Sequence, residues 1–308
     1  MFLTRKKLLA GLAWATLAVL CWAPLFSIAK RTLPYIDPFT LATVRYVAGV
    51  TLFVLLLVAV EGRAALRFEQ RLLAATGAGL LGITGFNLFI WTGMLYTVPE
   101  HATVIAALQT PLIALAVWAW RGPRPATFTL ACVMLALAGT VLVVTKGVSP
   151  AAIDARVLLG DFLVFLGALC WIGYTLAVAH AFPGWSPLRT AVLTSIPGMA
   201  GLVAGNVLAL AAGWARLPGL ETLSSLGWQI AYLAICSVVL GVLGFNNAAR
   251  TLGPLDTMLM LNAIPVLVFA IEASLGRSFA AVELIGAAIV VGSLVANNLY
   301  LRGVSTRR

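Results

Sequence analysis

Charge is scarce in this sequence. Only 10% of its 308 residues are Asp, Glu, Lys or Arg, whereas 62% are hydrophobic and the mean hydropathy is +1.04. A water-soluble domain of this size covers its surface with far more charge, so a soluble fold is excluded and lipid is the main solvent. Histidine is rarer still, with only His101 and His180, which fall near opposite membrane faces. No Ser/His, paired-Asp or His-Glu-x-x-His constellation forms at depth, which argues against an intramembrane enzyme. The four cysteines, Cys21, Cys132, Cys170 and Cys236, show neither Cys-x-x-Cys nor Cys/His spacing. They read as small packing residues, and no disulfide, metal or cofactor is expected.

What is present is a series of apolar stretches, each long enough to cross a ~30 Å hydrocarbon core at 1.5 Å per residue. Ten spans are expected: Leu8 to Ile28, Phe39 to Val60, Leu72 to Thr92, Glu100 to Trp120, Thr127 to Thr145, Gly160 to His180, Leu188 to Ala211, Leu226 to Asn247, Leu255 to Leu275 and Ala281 to Leu301. With the N-terminus in the cytoplasm, 13 of the 20 Lys and Arg residues fall inside, six fall outside, and Arg45 lies within span two. Both termini are therefore expected in the cytoplasm. The net charge of +10 is concentrated beside anionic lipid and requires no nucleic-acid partner.

The halves repeat. "LCW" at Leu20 to Trp22 returns at Leu169 to Trp171, an offset of 149 that also aligns Pro38 with Pro187. "GITGFN" (Gly82 to Asn87) resembles "GVLGFN" (Gly241 to Asn246), Pro111 matches Pro265, and Gly139 matches Gly292. Spans one to five (residues 1–149) and six to ten (150–308) thus read as two copies of one unit. Five is odd, so the second copy enters the membrane upside down. The expected fold is all-α and integral to the membrane, with ten transmembrane helices as two inverted five-helix repeats. Such repeats are common in secondary transporters, whose site lies near the midplane between the halves.

Trp22 followed by Lys30 in span one, "DPFTLATVR" ending at Arg45 in span two, and the mid-span Pro111 and Pro265 together resemble the EamA-type branch of the drug/metabolite transporter superfamily. The resemblance covers essentially the whole chain. It implies a ten-helix transporter of the bacterial inner membrane, similar to exporters of amino acids, aromatic ones in particular, and it alone gives the export direction. One departure is plain: the Gly-Glu pair that often closes spans four and nine is replaced by "WRGPRP" and "LGRSF", with Glu272 a turn earlier. No role of that terminal Glu carries over.

Polar groups inside lipid must pair or face a cavity. Gln109 and Asn262 lie near the middle of spans four and nine beside Pro111 and Pro265, where they can line a cavity or bridge helices. Asn87 and Asn246 can serve closures at opposite ends of one pathway, or act as helix glue kept by duplication. Trp22, Trp91, Trp171 and Tyr174 sit deeper than interfacial anchors such as Trp118, Trp120, Trp185, Trp214 and Trp228, and would supply flat apolar walls. Arg45 is the one base well inside a span; a helix carbonyl, Glu272 or a substrate carboxylate can partner it, and a structural role is preferred. No Asp or Glu occupies a midplane position. That absence argues against the alternative reading, a proton-coupled multidrug or cation efflux pump, and favours a neutral or zwitterionic substrate such as an amino acid. The residues leave proton coupling and oligomeric state open.

Overall fold

The computed structural model describes residues 5–119, 124–147, 153–252, 257 and 260–305. The start of span nine and the segment after span four, including Trp120, lie outside them. All regular structure among the described residues is helical. Eight helices are long and apolar enough to cross a membrane: Lys6–Thr32, Pro38–Glu61, Leu72–Tyr96, Thr127–Thr145, Ala155–Val178, Pro187–Ala211, Gly227–Leu252 and Ala281–Leu301. These are spans one, two, three, five, six, seven, eight and ten.

Spans four and nine differ for a local reason. Span four is two helices, Pro99–Ala107 and Gln109–Ala119, broken at Leu108. The described helix of span nine, Ala263–Ser274, starts after a turn at Asn262. Each break lies three residues before the repeated proline. Proline has no N–H, and its ring crowds the carbonyl four residues back, here Ala107 and Leu261, so the helical ladder is interrupted there. Repeat-related starts are also built alike. Asp37 and Ser186 cap spans two and seven, accepting from the backbone N–H of Thr40 and Arg189, with Pro38 and Pro187 at the first helical position.

Neighbouring spans pair across the two halves. Span one packs on eight, three on six, two on seven, four on nine and five on ten. Exchanging the halves maps this set onto itself, as an inverted repeat requires. Small residues permit the closest approaches where spans cross. A Cβ on Gly139 would lie 2.7 Å from the Gly286 carbonyl oxygen, and one on Gly286 2.7 Å from that of Gly139. Gly93 and Gly160 meet in the same way between spans three and six. Gly292, aligned with Gly139 in the sequence, meets open space, so Gly286 is the contact partner.

Two of the spans contain segments that depart from α geometry. Leu80–Gly85 in span three and Tyr232–Leu240 in span eight are wound as π-helix and run into the two "GFN" motifs. Wider turns release backbone carbonyls from the usual ladder, a device frequent at functional sites. Here the carbonyl of Ser237 accepts the indole N–H of Trp22 at 2.9 Å.

Candidate functional site

The repeated motifs meet in the middle of the protein. Trp22 of the first "LCW" packs on Phe245 of the second "GFN", with centroids 5.7 Å apart, and Trp171 of the second "LCW" packs on Phe86 of the first "GFN" at 5.0 Å. Exchanging the halves converts one pair into the other. These four rings wall a cavity of about 160 Å³ between the repeats. Polar groups enter it from Arg45, Gln109, Asn262, Thr103 and Ser237. No Asp or Glu among the described residues lines it.

A second cavity of about 410 Å³ continues toward the face that carries the N-terminus and shares Trp171 and Phe245 with the first. Tyr174, Trp185, Pro187, Asn246 and Arg250 line it. At its rim the loop between spans two and three is tied to that between six and seven. Arg189 pairs with Glu69 at 2.7 Å and lies over the Trp185 ring, and Arg71 donates to the Pro183 carbonyl. The hydrogen bond from Arg189, followed by that from Trp185, holds the Glu69 carboxyl below its ordinary range.

The far side is bridged by ion pairs. Spans one, four and nine, which line the central cavity, carry charge one to two turns beyond it. Arg31 grips Glu272 through both carboxylate oxygens at 3.0 and 3.2 Å, while Arg277 lies 3.0 Å from Glu100 and 3.6 Å from Glu283. Lys146 also reaches Glu283, and Lys30 donates to the carbonyls of Met94 and Leu95. The three acids are buried and their cations partly exposed, so the arrangement is a lid of cations over carboxylates. Next to it, His101 lies 3.1 Å from Asp161, whose other oxygen accepts from Thr97.

The structure places the residues singled out from sequence as follows. Trp22, Gln109, Trp171, Asn262 and Arg45 line the central cavity, and Trp171, Tyr174 and Asn246 line the second. Asn87 and Trp91 line neither. Both are buried behind Arg45: Asn87 accepts from the Trp91 indole at 2.9 Å and from Arg45 at 3.4 Å, and its amide donates to the Ile83 carbonyl. The Arg45 guanidinium also donates to the Ser237 hydroxyl at 3.0 Å and lies 4.9 Å from the Trp91 centroid. Glu272 does not partner Arg45; it belongs to the lid with Arg31. Trp185 is a hub of the rim cluster in addition to any interfacial role.

Two residues of the cavity wall carry donors without partners among the described residues. Arg45 and Asn262 are each 4% exposed, and neither the Arg45 Nε–H nor the Asn262 amide nitrogen finds an acceptor there. Buried polar groups are normally satisfied, so these two donors set Arg45 and Asn262 apart within the cavity wall. Phe86, Phe245, Tyr46 and Thr103 also line the cavity and were not singled out from sequence. The signal for the two phenylalanines lies within the repeated "GFN" itself.

Helices split before repeated prolines, an inverted repeat and a walled central cavity fit a membrane transporter. The EamA-like transporter family model matches residues 9–145 and again 158–299. The chain belongs to that family. It is 24% identical over 306 residues to the uncharacterized transporter YrdR of Bacillus subtilis (strain 168), covering 97% of this chain and 94% of YrdR. It is 25% identical over 276 residues to the uncharacterized transporter YyaM of the same organism, covering 89% of each. A crystal structure matches with a TM-score of 0.67 over 96% of this chain and 98% of its own, at 20% identity, which shows the fold alone.

Proposed function

We propose that this protein exports small zwitterionic metabolites, aromatic or neutral amino acids foremost, across the bacterial inner membrane by alternating access. The observation that carries the reading is the repeat-symmetric aromatic cavity, with the unsatisfied donors of Arg45 and Asn262 in its wall. Flat rings suit an aromatic or branched side chain, and the donors suit a carboxylate. The distribution of Lys and Arg assigns the N-terminal face to the cytoplasm. On that assignment the second cavity is the cytoplasmic entrance and the ion-pair lid is the outer gate. The inverted halves supply the exchange between this state and its mirror image, with the lid broken and the inner cavity closed.

The test is uptake of a panel of labelled amino acids and cationic dyes into proteoliposomes, with and without a pH gradient. Saturable flux of aromatic amino acids is expected. Absence of amino-acid flux under both conditions refutes the proposal, and strong pH-driven dye transport would replace it with multidrug efflux.

A further inference from the structure

We propose that the central cavity selects its substrate by the carboxylate and does not read the amine. This rests on the amino-acid reading above and narrows it. Among the described residues that line the cavity, Arg45 carries the one formal charge. Arg45 contributes a buried guanidinium to the wall, and neither its Nε–H nor the Asn262 amide nitrogen has an acceptor among the described residues. The remaining guanidinium contacts fix its position: Asn87 and Ser237 accept from its two other nitrogens, and Trp91 lies against its face. A positioned, desolvated cation meeting a carboxylate gains a charge-assisted hydrogen bond without losing side-chain freedom.

Nothing comparable awaits an ammonium group. The acids nearest the cavity along spans four and nine, Glu100 and Glu272, are occupied in the lid by Arg277 and Arg31. Among the described residues, the side-chain acceptors on the residues that line the cavity are the neutral oxygens of Tyr46, Gln109, Asn262, Thr103 and Ser237. A free amine without a carboxylate would bring a second positive charge into a low-dielectric space with Arg45, which is repulsive. A zwitterion tolerates the site because its carboxylate lies between the two charges.

Two halves of phenylalanine separate the possibilities. 3-Phenylpropionate keeps the ring and carboxylate, and phenethylamine keeps the ring and amine. In competition against labelled phenylalanine uptake into proteoliposomes, phenylpropionate is expected to inhibit within about tenfold of unlabelled phenylalanine. Phenethylamine is expected to be weaker by roughly 10- to 100-fold, the scale of one charge-assisted hydrogen bond. Equal or stronger inhibition by phenethylamine overturns the inference. Asn262→Asp, which places an acid in the wall, is expected to narrow the gap at least severalfold, and an unchanged gap in a folded variant counts against it. Labelled phenylpropionate uptake is measured in parallel. If phenylalanine is not carried but phenylpropionate is, the amino-acid reading fails while carboxylate selection stands; if neither is carried, both fail.

Discussion

Removing Arg277 tests whether the far-face lid holds the protein in its present state. Glu100 is fully buried and Arg277 is its ion-pair partner, with 24% of the arginine side chain exposed. Breaking a fully buried pair from one side costs about 3–5 kcal/mol, because a charge is left without its counter-ion. The partial exposure of Arg277 lowers this to about 2–4 kcal/mol, which is roughly 30- to 700-fold in a conformational equilibrium. Arg277→Ala should therefore shift the population strongly toward a state with the lid open. A cysteine at Thr103, which lines the cavity one turn inside Glu100, reports this through labelling by a membrane-impermeant thiol reagent from the far face. The Glu100→Gln/Arg277→Ala double variant removes both charges and should return labelling most of the way to that of the parent. Equal labelling of parent and Arg277→Ala, at equal thermal stability, would refute the reasoning.

Two other expectations concern the aromatic wall and the cysteines. A Cβ at Gly241 would lie 2.3 Å from the Trp22 indole nitrogen. Gly241→Ala should displace that ring by about 1 Å, lose its ~1 kcal/mol hydrogen bond to Ser237 and raise the half-saturating substrate concentration severalfold. Gly173→Ala, whose nearest neighbour would be Leu81 at 3.5 Å, should leave transport unchanged in the same assay. Cys21 and Cys170 are free thiols that pack against their surroundings. The Cys21→Ser/Cys170→Ser variant should transport normally, and loss of flux at normal expression would contradict a packing role.

The spans and their duplication were legible because burial in lipid imposes long apolar runs and because the two copies retain local motifs. Pro111 and Pro265 even marked where two helices break, since proline acts on its own preceding turn. Long-range partners were not legible. Arg31 and Glu272 are 241 residues apart and His101 and Asp161 60 apart, and only the packing of spans joins them. Asn87 and Asn246 show the same boundary within one motif. They occupy equivalent sequence positions, yet one is sealed behind Arg45 and the other lines an open cavity. An inverted repeat therefore need not give equivalent residues equivalent surroundings. The π segments left no periodic trace, because both are short and mostly apolar runs inside longer apolar spans.

Counterflow tests the central claim most directly. Vesicles containing the purified protein and preloaded with unlabelled phenylalanine are diluted into a trace of labelled phenylalanine. A site that alternates between two faces predicts a transient accumulation of label above equilibrium, abolished when Arg277 is cross-linked to Glu100 through paired cysteines. Label that merely equilibrates, or fails to enter, would contradict it.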